Sequence, residues 1–360
     1  MFERSSGILM HISSLPSEYG IGDFGKKAYD FVDFLKKSEQ KLWQVLPMGP
    51  TGYGDSPYQS FSTYAGNPYF IDIEDLYQLG YLDKNDLDYM REINYSDNLA
   101  YEQLYERKTK VLKKAFEGFK KENREDIVEE FKKFKEENSW WLNNYSLYMS
   151  LKFKFNGNSW QDWSKDYKYR NVKKILIDEE IKKNMDYFSF VQYTFYKQWF
   201  KLKEYANSNG IKIIGDIPIF VATDSADTWS NSDIFQFDKY KRPKRVAGCP
   251  PDYFSKDGQL WGNVLYDWKK LKESGYQWWV KRIEYSFKIY DIVRIDHFRG
   301  FEAYWSIAAK DKTAVKGHWE KGPGIEFFRV LERRIGKKPI IAEDLGLLTG
   351  GVRKLLKRSE

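Results

Sequence analysis

The apolar positions in the first fifty residues change period twice. Residues 7–12 form a short apolar run of strand type, Ala28, Phe31, Val32 and Leu35 recur at helical spacing, and residues 42–46 are again strand-like. This strand, helix, strand order recurs further along. Phe188, Val191, Phe195, Trp199, Leu202 and Ala206 keep steps of three and four, with Gly210 placed to end the helix. The apolar run 211–221 follows at once, with Asp216 inside it. A helix-like segment 274–290 precedes DIVRIDHF (291–298), and another, 325–335, precedes KPIIAEDLG (338–346). An apolar run without alternation directly after a helix reads as a parallel strand buried on both faces. Repeated units of this kind, with acids toward the strand ends, predict an α/β fold: a (β/α)8 TIM barrel whose chemistry gathers on the C-terminal face.

Five such strands are legible, near Gly7, Leu42, Ile211, Ile292 and Ile340. Eight close a barrel, so the pattern lacks the last three. Thr349 is placed to cap a final helix starting at Gly350. Residues 47–69 hold four Pro, four Gly and five aromatics, which predicts a long ordered loop with a function. From 81 to about 138 the chain turns to Lys, Glu and Asp with sparse apolar positions, as exposed helices do. Residues 140–170 read as a helix followed by an irregular packing segment. The expected organisation is a barrel start with an active-site loop (1–80), a mostly helical inserted subdomain (81–185), and strands three to five with a loop insertion at 222–273 (186–360).

Composition narrows the class. Of 360 residues 42% are hydrophobic and 31% charged, enough apolar side chain for a core and too much for a disordered chain. The 59 basic residues exceed the 52 acidic ones by a dispersed +7, so neither a nucleic-acid nor a membrane partner is expected. No apolar run approaches the roughly 20 residues of a membrane span. A single cysteine, Cys249, and an N-terminus without a signal-type apolar core predict a cytoplasmic protein. Aromatic residues reach 18%, which fits either a ring-rich core or a groove where rings stack on sugar faces.

Two carboxylates stand out. Asp296 and Glu343 are one strand-loop-helix-strand unit apart, so they should end neighbouring strands and face one site. Paired carboxylates divide glycosyl transfer: one attacks the anomeric carbon and the other gives its proton to the leaving oxygen. Arg294 shares a strand face with Asp296 and could hold it ionised. A structural Arg-Asp pair fits the same spacing, and so does a divalent-cation site built from Asp216, Asp296 and Glu343. The aromatics Tyr58, Phe220, Trp261 and Phe298 around these acids favour a sugar groove. Zinc, nucleotide and dinucleotide fingerprints are absent, and no metal or cofactor is expected. Of the three histidines, His297 should lie at the barrel mouth and contact a sugar hydroxyl. His11 fits either a core or a site role, and His318 reads as structural, as does Cys249.

The runs GDSPYQSFSTYAGNPYFID (54–72), GDIPIFVATDSADTW (215–229), AGCPPDYFSKDGQLWGN (247–263), RIDHFRGFEAYW (294–305) and IIAEDLG (340–346) resemble those of amylomaltases, the bacterial 4-alpha-glucanotransferases. The resemblance spans essentially the whole chain. It implies an alpha-amylase-clan barrel that moves 4-alpha-glucan segments between maltooligosaccharides and glucose through a covalent intermediate, without a cofactor. On this resemblance Asp296 is the nucleophile and Glu343 the general acid/base. Arg294, Asp216 and His297 match sugar-binding and orienting positions, Tyr58 and Trp261 match aromatic platforms, Tyr253 and Phe254 match a loop that closes over the groove, and Tyr53 matches a second glucan site. Cys249, and Val264 in place of a common proline, are small departures. The family pattern continues through three more strands with a third carboxylate in a histidine-aspartate pair, for which this chain has no counterpart. The expectation is therefore a C-terminally truncated transferase, with a complementing C-terminal fragment as a partner or an inactive chain that binds glucan without turnover. A metal-dependent barrel enzyme is the remaining alternative.

Overall fold

Each of the five expected strands forms, and four further strands accompany them. In chain order they are β1 (Gly7–Leu9), β2 (Leu42–Gln44), β3 (Lys212–Pro218), β4 (Arg245–Cys249), β5 (Gln259–Val264), β6 (Ile292–Asp296), β7 (Ala303–Ala308), β8 (His318–Lys321) and β9 (Ile340–Ala342). The computed structural model describes residues 4–52, 54–93, 100–345 and 348–359. The chain divides into two units, one of residues 1–57, 65–158 and 165–213, the other of 58–64, 159–164 and 214–360.

In the first unit β1 and β2 pair in parallel, Gly7 opposite Leu42 and Leu9 opposite Gln44. The N–H of Lys212 continues this pattern by donating to the Lys41 carbonyl at 2.9 Å. The helix Lys26–Lys37 joins the two strands, burying Ala28, Val32 and Leu35 as the periodicity requires. Helices Tyr101–Phe119, Glu125–Glu137 and Ser139–Lys154 follow, and Glu125–Glu137 buries none of its residues, as its charged composition dictates. The 30-residue helix Glu179–Ser208 starts on Asp178, whose carboxylate accepts from the N–H groups of Glu180 and Ile181. It stops where Gly210 takes φ +78°, a left-handed conformation that glycine adopts without penalty. Much of the aromatic content is spent here as core: Phe119 meets Phe190 at 4.9 Å between ring centroids, and Trp141 meets Tyr196 at 6.0 Å.

In the second unit β3, β6 and β9 form a parallel sheet in that order. Asp216 lies opposite Arg294, Pro218 opposite Asp296, and Ile295 opposite Ala342. The helices Gln277–Ile289 and Ile325–Ile335 lie where the sequence periodicity places them. Phe301 stacks on Phe327 at 4.9 Å, and Trp279 adds its edge to Phe301 at 5.3 Å and stands 5.7 Å from Tyr266. A second sheet, antiparallel in the order β5-β4-β7-β8, was not expected: β4 and β5 lie in the stretch 222–273 read as a loop insertion. Its strands are short and carry glycines where backbones crowd: a Cβ on Gly248 would lie 2.1 Å from the Gln259 carbonyl oxygen. That glycine breaks the alternation by which a strand is recognised. None of the described helices is long and apolar enough to cross a membrane.

Candidate active site

Parallel pairing puts side chains of in-register residues on the same face, and alternate residues of one strand share that face. Asp216, Arg294 and Asp296 therefore project together, and Glu343, one position past the Ile295–Ala342 pair, joins them. The Glu343 N–H continues the ladder, donating to the Ile295 carbonyl at 3.0 Å. Neighbouring strands run about 4.8 Å apart, so the two acids leave one face of adjacent strands side by side.

The side chains are tied to one another. Arg294 Nη1 donates to both oxygens of Asp216, at 2.6 and 2.7 Å, while its Nη2 reaches Asp296 Oδ1 at 3.3 Å. Tyr58 OH donates to Asp216 Oδ2 at 2.8 Å. Both oxygens of Glu343 accept backbone N–H groups at 2.8 Å, Oε2 from His297 and Oε1 from Leu345. Each carboxyl oxygen has a second lone-pair site, so a proton can still sit on Glu343. His297 ends β6 in a left-handed turn at φ 53°, unusual for a residue with a Cβ, and the bond to Glu343 helps to hold it there.

Burial sets the charge states. Asp216 is 1% exposed, and burial pushes its carboxyl up against the pull of Arg294 and Tyr58. Asp296 is raised to about 6, first by burial and then by the Asp216 charge, with Arg294 opposing and Glu343 adding to the rise. The guanidinium thus serves Asp216 more closely than Asp296, and the expectation that it would hold Asp296 well ionised is met only by the longer contact. Burial, with help from Arg299, lowers His297 to about 4, so its imidazole is neutral at pH 7. With a guanidinium already seated between Asp216 and Asp296, the acids do not converge on a shared cation position, which weighs against the metal alternative.

The strand end that presents Asp216 is held from beneath by a buried cation. Arg282, 2% exposed, donates to the carbonyls of Pro218 at 2.6 Å and Ile219 at 3.2 Å, with its guanidinium 4.7 Å from the Trp279 ring. Gly215 leaves room for Tyr290, whose ring would lie 2.1 Å from any Cβ placed there. On the open side the Trp261 ring stands edge-on to His297, centroids 4.9 Å apart.

The sequence profile of the 4-alpha-glucanotransferase family matches residues 10–360. The chain belongs to this family. A 4-alpha-glucanotransferase of Clostridium butyricum is 52% identical over 97% of this chain and 72% of its own length. One from Thermus thermophilus is 45% identical over 99% of this chain and 70% of its own. Among solved structures, the amylomaltase of Streptococcus agalactiae in complex with acarbose superposes with a TM-score of 0.95 at 42% identity, covering 99% of this chain and 72% of that one. The Corynebacterium glutamicum amylomaltase, at 20% identity and a TM-score of 0.80, shares the fold. The fold is thus the α/β architecture of the amylomaltases.

Within this 4-alpha-glucanotransferase, Asp216, Arg294, Asp296, His297, Glu343, Tyr58 and Trp261 come together in the second unit. Tyr253 and Phe254 stand apart, 96% and 93% exposed on a turn closed by Asp252, whose carboxylate accepts the N–H groups of Phe254 and Ser255. Tyr53 lies outside the described residues. His11 is buried in the first unit, its Nδ1 accepting from the Leu46 N–H at 3.2 Å and its ring edge-on to Phe70. His318 lies beside Arg245 and Glu320. Cys249 is a free thiol that burial pushes up to about 11. The residues that sequence reasoning missed are the ones that hold others in place: Arg282, Asp227 and Gln59. Gln59 and Asp227 had a weak signal, their places in the SPYQS and GDIPIFVATDSADTW runs.

Proposed function

We propose that this chain transfers segments of 1,4-alpha-glucan to the 4-hydroxyl of glucose or of another glucan by retaining double displacement. The observation that carries this reading is the placement of Asp296 and Glu343 on adjacent parallel strands, with the amide that follows Asp296 bonded to the Glu343 carboxylate. Asp296 attacks the anomeric carbon as the glycosidic C–O bond breaks, and the proton on Glu343 passes to the leaving glucan oxygen. The 4-hydroxyl of the acceptor then attacks the same carbon, Glu343 takes its proton, and the bond to Asp296 breaks.

The neighbours fit these roles. With a carboxyl at about 6, Asp296 is largely ionised at pH 7 and close enough to neutrality to be an effective leaving group in the second step. Asp216 and Arg294 hold hydroxyls of the reacting sugar, and the neutral His297 imidazole adds a further polar contact. Tyr58 and Trp261 supply ring faces, which favour an ordered sugar over water as the acceptor. Tyr253 and Phe254 extend into solvent where a bound glucan would meet them, Tyr53 contributes to a second glucan site, and the working compartment is the cytoplasm.

Incubation with maltotriose, resolved by chain length and run beside Glu343→Gln, tests the reading. Glucose together with maltopentaose and longer products, absent from the variant, is the expected result. Folded protein that leaves maltotriose unchanged would overturn it.

A further inference from the structure

Tyr58 and Gln59 are consecutive, yet they reach different parts of the second unit. Tyr58 donates to Asp216 on β3, while Gln59 Nε2 donates to Asn263 Oδ1 at 2.9 Å and to the Trp261 carbonyl at 3.3 Å on β5. The segment they start is anchored at its far end, where Thr63 donates through N–H and Oγ1 to the buried Asp227 carboxylate at 2.8 Å each. The Ala226 N–H also donates to the Phe61 carbonyl at 2.8 Å.

The polarity at Gln59 is fixed. Asn263 is 5% exposed, and its Nδ2 donates to the Val221 carbonyl at 2.9 Å, which turns its Oδ1 toward Gln59. Trp261 offers a carbonyl. Two acceptors thus converge on one position, and only a donor satisfies both. The strand beyond Trp261 is secured as well: Thr223 Oγ1 donates to the Gly262 carbonyl and accepts the Val264 N–H, both at 2.8 Å.

We infer that Gln59 is a positioning residue for substrate binding: its amide holds the main chain of β5 at Trp261, whose ring stands edge-on to His297 and whose indole N–H donates to Gln259 Oε1 at 2.9 Å, and so sets the place of that residue relative to the acid cluster to which its neighbour Tyr58 is bonded. The inference rests on the proposed transferase reading for its catalytic consequence. Gln59 touches no reacting atom, so its loss acts on binding before it acts on chemistry.

The test compares Gln59→Met, which keeps the length and loses the donors, with Gln59→Glu, which keeps the shape and sets a third acceptor against two others. KM and kcat on maltotriose are measured for both, and maltotriose affinity is measured by calorimetry in the Glu343→Gln background, where turnover does not intrude. Thermal melts confirm that each variant is folded. The expected result is a KM and Kd weakened about fivefold in Gln59→Met, what one ordinary hydrogen bond of about 1 kcal/mol converts to. The weakening is larger in Gln59→Glu, with kcat changed by less than KM in both. Folded variants that bind and turn over as the parent does, or a Glu variant no worse than Met, overturn the inference. Absence of turnover in the parent, with Gln59→Glu still weakening affinity, sinks the catalytic reading and leaves the positioning role standing.

Discussion

Replacing Arg294 by Met isolates the electrostatic core of the site. In the parent, Asp216 is 1% exposed and draws two short contacts from the guanidinium, at 2.6 and 2.7 Å, with Tyr58 OH at 2.8 Å as its other side-chain donor. Met fills similar volume but returns no charge, and water has almost no access to the orphaned carboxylate. Removing one partner of a buried ion pair costs about 3–5 kcal/mol, and the 18% exposure of the Arg294 side chain argues for the lower end. With an m-value of about 3 kcal/mol/M, a loss of about 3 kcal/mol moves the urea midpoint down by about 1 M.

The penalty depends on pH with a definite sign. Without Arg294, burial acts on Asp216 unopposed and its folded-state carboxyl rises further above the unfolded value. An acid raised in the folded state destabilises it as pH climbs from the unfolded value of about 3.9 through the folded one. The deficit of Arg294→Met is therefore largest at neutral pH and shrinks toward pH 4. Adding Asp216→Asn removes the stranded charge and should recover half or more of the loss. Urea titrations at pH 7 and pH 4.5 on parent, single and double variants provide the measurement. A single variant within 1 kcal/mol of the parent, or a double variant no more stable than the single, would refute the reasoning.

Further expectations follow from the same geometry. Because Asp296 is raised to about 6, kcat/KM for glucan transfer should fall on the acid side with a midpoint near 6. Asp216→Asn should move that midpoint down, since it removes the second-largest cause of the rise and frees Arg294; a pH–rate profile with an unmoved acid limb contradicts the assignment. Gly215→Ala places a methyl 2.1 Å from the Tyr290 ring and should cost about 1–3 kcal/mol in chemical denaturation, relieved in part by Tyr290→Leu. Tyr253→Ala/Phe254→Ala should leave the melting temperature within a degree or so of the parent, because both rings are almost fully exposed. It should still raise KM for long glucans more than for maltotriose, and equal KM changes for both would argue against a role over the groove.

What was legible in the sequence had a periodic or apolar signature. The helices Lys26–Lys37 and Ile325–Ile335, and the strands β3 and β6, announce themselves because burial on one stripe or on both faces forces long apolar patterns, whereas β1 and β9, short and partly exposed, were legible from their apolar residues alone. Asp296 and Glu343 stand out because a carboxylate at the end of such a run costs too much to be incidental. The antiparallel sheet of β4, β5, β7 and β8 gave no such signal. Gly248 and Gly317 are there to admit the Gln259 carbonyl and the Trp305 indole, contacts with the neighbouring strand that no periodicity reveals. The roles of Gln59 and Asn263 were not legible for a related reason: a polar residue's value lies in the partner it meets. The aromatic excess was ambiguous, and it resolves largely into core, with Trp43, Trp160, Trp199, Trp229 and Trp279 fully buried.

The bond from the His297 amide to Glu343 has a consequence for how the two acids can drift. That amide belongs to the peptide unit whose carbonyl carbon is covalently part of Asp296, so the carboxylate of Glu343 is tethered to the main chain of Asp296. Thermal breathing of β6 against β9 would separate two independent side chains, but here a displacement of Asp296 drags the carboxylate of Glu343 with it. The spacing of the two acids is thereby set over a few bonds, as the jaws of a caliper are set by its frame.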